Sequence, residues 1–366
     1  MNDKQLYDIV SDLLKAQGHE VVRLTQLGGG SNHYVFEAET AQGRELIIKY
    51  PRIRETEAKY QQAHEDTLFG GRLSMQREAY LFGEVRRGGV AAPEVDGVFD
   101  TPAGQCIVVD RSPGVSLPEY MEAEGHSLEK FLGVMACLGR DFRTLHKTTR
   151  YASFGNIMDG GEIEPAGIMN FADRYLPIND RLMGICKAKN GLTDAEFDHV
   201  KAFFDRRFEE LRPRLDAKND PPTLVITDMH GGNFFVKDGV VSGYFDVESS
   251  QAAPAMFELY ALRFFVFNFY GEEEFRLAEE AFWTAYHDGE RNAPTPEEDD
   301  LLDFFTACRL LEIFQSYWGY IDGLRDTWGQ RIKDILMNYI ATGKVDYIAL
   351  GAIWRERDGQ PEHAAK

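Results

Sequence analysis

The sequence predicts a two-lobed α+β chain, with a small antiparallel sheet and its helix followed by a mainly helical lobe. Three observations carry this. Residues 21–49 alternate short β-rich runs with glycine-containing turns. From residue 254 to near the end, apolar residues recur at helical spacing. At 366 residues the chain is long enough that two lobes are expected.

Composition narrows the partners. Apolar residues at 43% and aromatics at 12% describe a folded globular chain. Sixty acidic against 40 basic side chains give a net charge of −20, which makes nucleic acid and anionic membrane surfaces poor partners. A cationic small molecule would be steered favourably, although solubility alone accounts for such a charge. Cys106, Cys137, Cys186 and Cys308 are scattered with no CxxC pair, so buried reduced thiols are expected rather than a zinc site or a disulfide framework. The first ten residues carry no secretory signal. The most apolar stretch, 257–270, is interrupted by Glu258, Arg263 and Asn268, too short and too polar to span a bilayer. A cytoplasmic protein is expected; nothing in the sequence speaks to oligomeric state.

Along the chain, residues 4–17 place Leu6, Ile9, Val10, Leu13 and Leu14 on one helix face, suited to the back of the first lobe. A strand from Val21 leads to a glycine-rich turn containing Gly28, Gly29, Gly30 and Ser31. Strands over 34–38 and 45–49 follow, the last ending in Lys49. Consecutive glycines let backbone N–H groups approach a phosphate, because no Cβ intervenes. Lys49 then stands beside that turn, within reach of nucleotide phosphates. The Gly-Lys-Ser/Thr ending of a P-loop is absent. Residues 51–73 read as a charged connection. A helix over 75–86 follows, capped by Ser74 and carrying Glu78 in its first turn. Strands over 93–98 and 105–109 complete a five-stranded sheet and run into Asp110-Arg111-Ser112-Pro113-Gly114.

The second lobe begins with a helix over 128–147 that ends in Leu145-His146, the histidine expected to pack rather than to react. Residues 154–219 read as mostly helical, with Phe197, Val200, Phe203, Phe204, Phe208 and Leu211 as a core stripe. Helices are expected over 257–270, 273–287, 297–324 and 330–342, then a fraying polar tail over 355–366. Tyr317, Trp318, Glu258, Glu312 and Asp322 are candidates to line a pocket for an amine or a sugar.

The chemistry concentrates in residues 224–249. An apolar run delivers Asp228 into a loop, and Asn233 follows five residues on. A hairpin turning at Asp238-Gly239 then returns the chain to Asp246. With a two-residue turn, Lys237 pairs with Val240, and counting back sets Asn233 opposite Tyr244. Asp228, Asn233 and Asp246 then converge. Phosphoryl transfer needs oxygen ligands for Mg²⁺ and a carboxylate that orients the attacking hydroxyl, and this set supplies both. A polar loop beside an ordinary hairpin would use the same residue types as turn formers.

The order of these motifs resembles the aminoglycoside phosphotransferase and choline kinase-like group, small-molecule relatives of the protein kinases. Their loop usually reads His-Gly-Asp-x-x-x-x-Asn, followed by a hairpin and an Ile-Asp-Trp/Phe-Glu-like segment. Asp228, His230, Gly232, Asn233, Asp246 and Glu248 match, whereas Ile226 and Thr227 depart from the usual His-Gly. The resemblance implies a protein-kinase-like fold, with a nucleotide-binding lobe over 1–110, a hinge over 111–114 and a catalytic lobe over 115–366 that holds a helical insertion over 150–220. It implies ATP and Mg²⁺ as cofactors and transfer of the γ-phosphate to a hydroxyl of an aminoglycoside-, choline-, homoserine- or sugar-like molecule. It makes Asp228 the catalytic residue and Asn233 and Asp246 the metal ligands. The Gly28–Ser31 turn and Lys49 hold phosphates, Glu78 positions Lys49, and backbone groups from Val109 to Arg111 meet the adenine edge.

Three rival readings are weaker. A protein kinase lacks support because no Asp-Phe-Gly is present and no Ala-Pro-Glu follows Asp246. A metallophosphatase, suggested by Asp228-x-His230, would need a Gly-Asn-His that is absent. A nucleotide-binding regulator without turnover is motivated by the missing His-Gly and opposed by the retained ligand set.

Overall fold

The computed structural model describes residues 3–27, 33–51, 74–189, 191–320 and 328–365. The first lobe is a five-stranded antiparallel sheet in the order β1-β2-β3-β5-β4. Its strands are β1 (Val21–Leu27), β2 (His33–Thr40), β3 (Glu45–Pro51), β4 (Val95–Thr101) and β5 (Gly104–Asp110). Side-chain alternation sorts its two faces. Leu46, Ile48 and Tyr50 of β3 join Phe36, Ala38, Cys106 and Val108 in one core. Helix α1 (Asp3–Ala16) covers that core with Leu6, Val10 and Leu14, as its apolar stripe predicts. The intervening residues Ile47 and Lys49 face the other way, toward α2 (Met75–Arg87).

Helix α2 starts where the sequence places it. The Ser74 side chain accepts the Arg77 amide, a cap worth about 1 kcal/mol. Its buried residues Met75, Leu81, Phe82 and Val85 belong to the core of the second lobe. The helix carrying Glu78 is therefore packed between the two lobes.

After the connection at 111–114, β6 (Val115–Ser116) leads into α3 (Leu117–Ala123) and the long α4 (Leu128–Thr148). The stretch expected to be mostly helical from 154 instead opens with two strands, β7 (Gly155–Ile157) and β8 (Ile163–Glu164). They join a four-stranded sheet, β8-β7-β12-β9, with β9 (Thr223–Val225) and β12 (Gln251–Ala253) on either side of the hairpin at 234–244. Strands of two or three residues are too short to show a period, which is why the sequence did not reveal them. Helices α5 (Phe171–Ala188) and α6 (Asp194–Leu211) follow, and the phenylalanine stripe is core as expected, with Phe208 edge-on to Phe304 at 4.8 Å.

The hairpin is β10 (Phe234–Lys237) and β11 (Val240–Tyr244). Asp238 and Gly239 both take positive φ, 52° and 80°, the turn geometry that matches strand twist. Lys237 pairs with Val240 as expected, but the count back to Asn233 is off by one. Ser242 forms a β-bulge, so Phe235 pairs with Gly243 and Phe234 with Tyr244. Asn233 therefore stands opposite Phe245, whose amide donates to the Asn233 carbonyl at 3.0 Å.

The remainder is helical: α7 (Met256–Phe265), α8 (Glu272–Tyr286), α9 (Pro296–Tyr320), α10 (Gln330–Thr342) and α11 (Tyr347–Asp358). The helix expected over 257–270 stops early, at Phe265, and a 3₁₀ turn over Phe267–Phe269 follows. The tail expected to fray is tied down. The Ala365 amide donates to His126 O at 2.8 Å, and the Leu128 amide donates to Ala365 O at 3.0 Å. All four cysteines are buried. No helix among the described residues is long and apolar enough to cross a membrane.

Candidate active site

The site is assembled by β3, α2 and the turn that follows β11. Asp246 adopts a left-handed conformation, φ 57°, which aspartate tolerates better than most residues. The chain then enters a 3₁₀ turn over Val247–Ser249, and both the Asp246 and the Glu248 carboxylate reach Lys49. Lys49 Nζ lies 2.9 Å from Glu78 Oε1, 3.0 Å from Asp246 Oδ1 and 3.2 Å from Glu248 Oε2. One ammonium thus serves three carboxylates.

The electrostatics follow from that imbalance. Burial works against the charged Lys49, but Asp246, Glu248 and Glu78 together outweigh it and hold its pKa well above the ordinary lysine value. Lys49 in turn holds Asp246 below the usual carboxylate range. Burial dominates at Glu248 and pushes its carboxyl up to about 8 despite Lys49. Burial raises Glu78 as well. His33, at the start of β2, adds a second nitrogen 3.4 Å from Glu248. Ligand oxygens of Glu78, Asp246 and Glu248 lie within 4.8 Å of one another. A cluster short of positive charge, with hard oxygen donors, fits a divalent cation such as Mg²⁺.

The loop that carries Asp228 and Asn233 leads into β10. Asn233, 5% exposed, donates its amide to the Asp228 carbonyl at 2.8 Å, which leaves its Oδ1 as the ligand-type oxygen. The two residues that depart from His-Gly are both fully buried and both braced. The Thr227 hydroxyl donates to Ser249 O at 2.9 Å, and Ser249 Oγ accepts the Asp228 amide at 3.2 Å. Glu258 Oε1 accepts the Ile226 amide at 2.6 Å. Glu258 is therefore a buried brace and not a pocket-lining acid. Its other oxygen meets His146 at 2.5 Å, and His146 reaches the Tyr286 hydroxyl at 2.9 Å. His146 packs, as the sequence suggests. Burial raises the Glu258 carboxyl, opposed by His146 and the Ile226 amide.

The other expected site residues fall as follows. Glu78, 2% exposed at its side chain, stands behind Lys49 and pairs with its ammonium at 2.9 Å. Val109 is buried and pairs with Ile47 and Val95. The Arg111 amide donates to Glu45 O at 2.9 Å, so that donor is already used within the sheet. Its guanidinium pairs with Glu37 at 2.9 Å and lies over the Phe235 ring. Gly28, Gly29, Gly30 and Ser31 lie outside the described residues, as do most of the 51–73 connection and the side chains of Tyr317, Trp318 and Asp322.

Sequence reasoning missed two arginines. Arg77, 1% exposed, donates to three backbone carbonyls, those of Ile157 (2.6 Å), Glu248 (2.5 Å) and Ser250 (2.6 Å). Arg309 of α9 places Nη2 3.3 Å from Asp228 Oδ1. The Arg-Glu pair at 77–78 was visible, but helix position alone does not say which way an arginine points. Arg309 carries no local signal at all.

Comparison with known proteins bears on the fold and the family. No curated protein sequence matches the chain. Solved structures share its fold at low identity. A thermostable variant of aminoglycoside phosphotransferase APH(4)-Ia, in ternary complex with AMP-PNP and hygromycin B, superposes with a TM-score of 0.59 at 14% identity, over 91% of this chain and 99% of that one. The amicoumacin kinase hAmiN, with AMP-PNP, Ca²⁺ and Ami, gives 0.55 at 16%, over 93% and 95%. The streptomycin-ATP-APH(2")-IIa ternary complex gives 0.55 at 12%, over 95% and 99%. These likenesses establish the two-lobed kinase-like α+β fold. The model of the phosphotransferase enzyme family APH matches residues 23–302, most of the chain, and the chain belongs to that family.

Proposed function

We propose that this protein transfers the γ-phosphoryl group of ATP, with Mg²⁺, to a hydroxyl of a small molecule. The observation that carries the reading is the Lys49 ammonium held within 3.2 Å of Glu78, Asp246 and Glu248. In this reading Lys49 binds phosphate oxygens and Glu78 fixes Lys49. Asn233 and Asp246 would hold Mg²⁺, which when bound offsets the charge of the phosphates. Asp228 accepts or orients the proton of the acceptor hydroxyl. The Gly28–Ser31 turn covers the phosphates, and the stretch from Val109 to Arg111 meets the adenine. Residues 1–110 form the nucleotide lobe, 111–114 the hinge and 115–366 the catalytic lobe, in which 150–220 supplies a wall for the acceptor.

The net charge of −20 favours a cationic acceptor. The structural neighbours that hold hygromycin B, amicoumacin and streptomycin point the same way. Such an ATP-consuming reaction belongs in the cytoplasm. The loop is braced at Ile226 and Thr227 without the usual His-Gly, which weighs against a binder without turnover.

The test is thermal stabilisation by ATP with Mg²⁺, then ADP release against aminoglycosides, choline, homoserine, sugars and macrolides. A melting shift with turnover on one acceptor is expected. Asp228→Ala should abolish turnover and keep nucleotide binding, whereas Asp246→Ala should weaken Mg²⁺-dependent nucleotide binding too. Parental turnover in the Asp228 variant would sink the assignment. A shift with no turnover on any acceptor would favour a non-catalytic nucleotide binder.

A further inference from the structure

The side chain of Asp228 has one ionic partner among the described residues, and no motif supplies it. Arg309 stands in α9, 81 residues further along the chain. Its Nη2 is 3.3 Å from Asp228 Oδ1, and its Nη1 contacts Glu312 Oε2 one helical turn on. The guanidinium is held in place. Its side chain is 8% exposed, and it lies 5.6 Å above the centre of the Phe265 ring. Phe265 in turn meets the His230 ring at 6.1 Å. The Asp228 side chain is 34% exposed, so it is the partner that solvent still reaches.

The loop itself brings no fixed cation to this point. Between Asp228 and Asn233 stand Met229, His230, Gly231 and Gly232, and His230 Nδ1 accepts the Gly232 amide at 3.1 Å. An aspartate with two free torsions and a partly exposed carboxylate would otherwise sample several rotamers. A charge-assisted hydrogen bond from an immobile donor selects one of them. Glu312 gives that donor its second anchor. Burial raises the Glu312 carboxyl to about 7 against the pull of Arg309, and its side chain is 21% exposed.

We propose that Arg309 is a positioning residue for phosphoryl transfer: it grips Oδ1 of Asp228 and so turns Oδ2 toward the acceptor hydroxyl. The proposal rests on the reading of Asp228 given above. It makes α9 a part of the reacting centre as well as a wall of the core. A contact of 3.3 Å is longer than an ideal charged hydrogen bond, and such contacts tighten when substrates close the site. The rival reading is an Arg309–Glu312 helix pair that serves stability alone.

The experiment compares Arg309→Met and Arg309→Lys with the parent, each also in an Asp228→Asn background. The readout is ADP release from ATP with Mg²⁺, using the acceptor that turns over in the parent, or water as acceptor. Arg309→Met should lower kcat about 100-fold, the scale of a misplaced reacting group, and leave the KM for ATP nearly unchanged. Arg309→Lys should recover part of the loss. In the Asp228→Asn background the Arg309→Met change should add little, because both substitutions act on one group. Melting with and without ATP verifies that each variant is folded; if Arg309→Met is not, Arg309→Lys carries the same comparison. An equal fold-loss in both backgrounds, or a parental kcat in the Arg309 variants, overturns the proposal. Parental turnover in Asp228→Asn, or no ADP release in the parent, overturns the reading beneath it and the proposal with it.

Discussion

Arg77 Nη1 donates to the backbone carbonyl of Glu248 across 2.5 Å, tying the helix that carries Glu78 to the segment that carries Asp246. The same guanidinium bonds Ile157 O and Ser250 O. Glu78 thus approaches Lys49 from a helix already fixed to the second lobe. Hydrogen bonds to a charged donor contribute roughly 1.5–3 kcal/mol each, and three orphaned buried carbonyls do not recover that from water. Arg77→Met should therefore lose on the order of 4 kcal/mol of stability in a urea titration. A loss below about 1 kcal/mol would mean that the carbonyls find other donors.

Lys49→Met removes the ammonium that serves Glu78, Asp246 and Glu248. Three crowded carboxylates then lack compensation, and the chain should melt lower than the parent. A divalent cation is the natural replacement for that charge. Mg²⁺ or Mn²⁺ alone should raise the melting temperature of the variant by more than it raises that of the parent. An equal or smaller rise would count against a shared metal and lysine site.

Asp141 offers a pH test away from the reaction. Burial pushes its carboxyl from 3.8 up to about 6, although the Tyr244 hydroxyl donates to it at 2.9 Å and opposes the shift. The folded state therefore holds this proton more tightly than the unfolded chain does. The resulting stabilisation is fully present below about pH 4 and is lost as pH rises through about 6. Asp141→Asn keeps a neutral group that can still accept from Tyr244. It should melt higher than the parent at pH 8, with the gap closing toward pH 4. Parallel melting curves across that range would refute the assignment.

Gly114, at the end of the inter-lobe connection, has φ +96° and sits against β10. A Cβ there would fall 2.3 Å from Val236 O, a backbone atom that cannot swing aside. Gly114→Ala should cost about 1–3 kcal/mol from backbone strain, with the clash in addition. Because Val236 belongs to the hairpin between Asn233 and Asp246, the proposed nucleotide site should shift and the KM for ATP rise as well. A variant with parental stability would show that the connection can shift without loss.

The sequence made the order of the site legible, because Lys49, Glu78, Asp228, Asn233 and Asp246 each sit in a local pattern that a strand, a capped helix or a hairpin explains. It did not make the exact alignment legible. Ser242 adds one residue to β11, and a bulge leaves no mark in the alternation of a five-residue strand. It could not show Arg309 or Arg77 either, since an arginine on a helix reads the same whether it faces water or three carbonyls. Glu258 misled for the opposite reason. An acid on an apolar helix invites a ligand role, while burial and two internal donors had already assigned it. The tail over 355–366 is polar, yet one backbone exchange with His126 and Leu128 anchors it, and composition does not register such pairing.

The Thr227–Ser249 clasp has an evolutionary corollary. Each residue supplies what the other side of the loop lacks: a hydroxyl for one carbonyl, and a hydroxyl for the amide of Asp228. Losing the hydroxyl at 249 strands the Asp228 amide, and losing it at 227 strands the Ser249 carbonyl. The two bonds are independent, so descendants of this chain are expected to keep a hydroxyl-bearing residue at 227 and, separately, at 249.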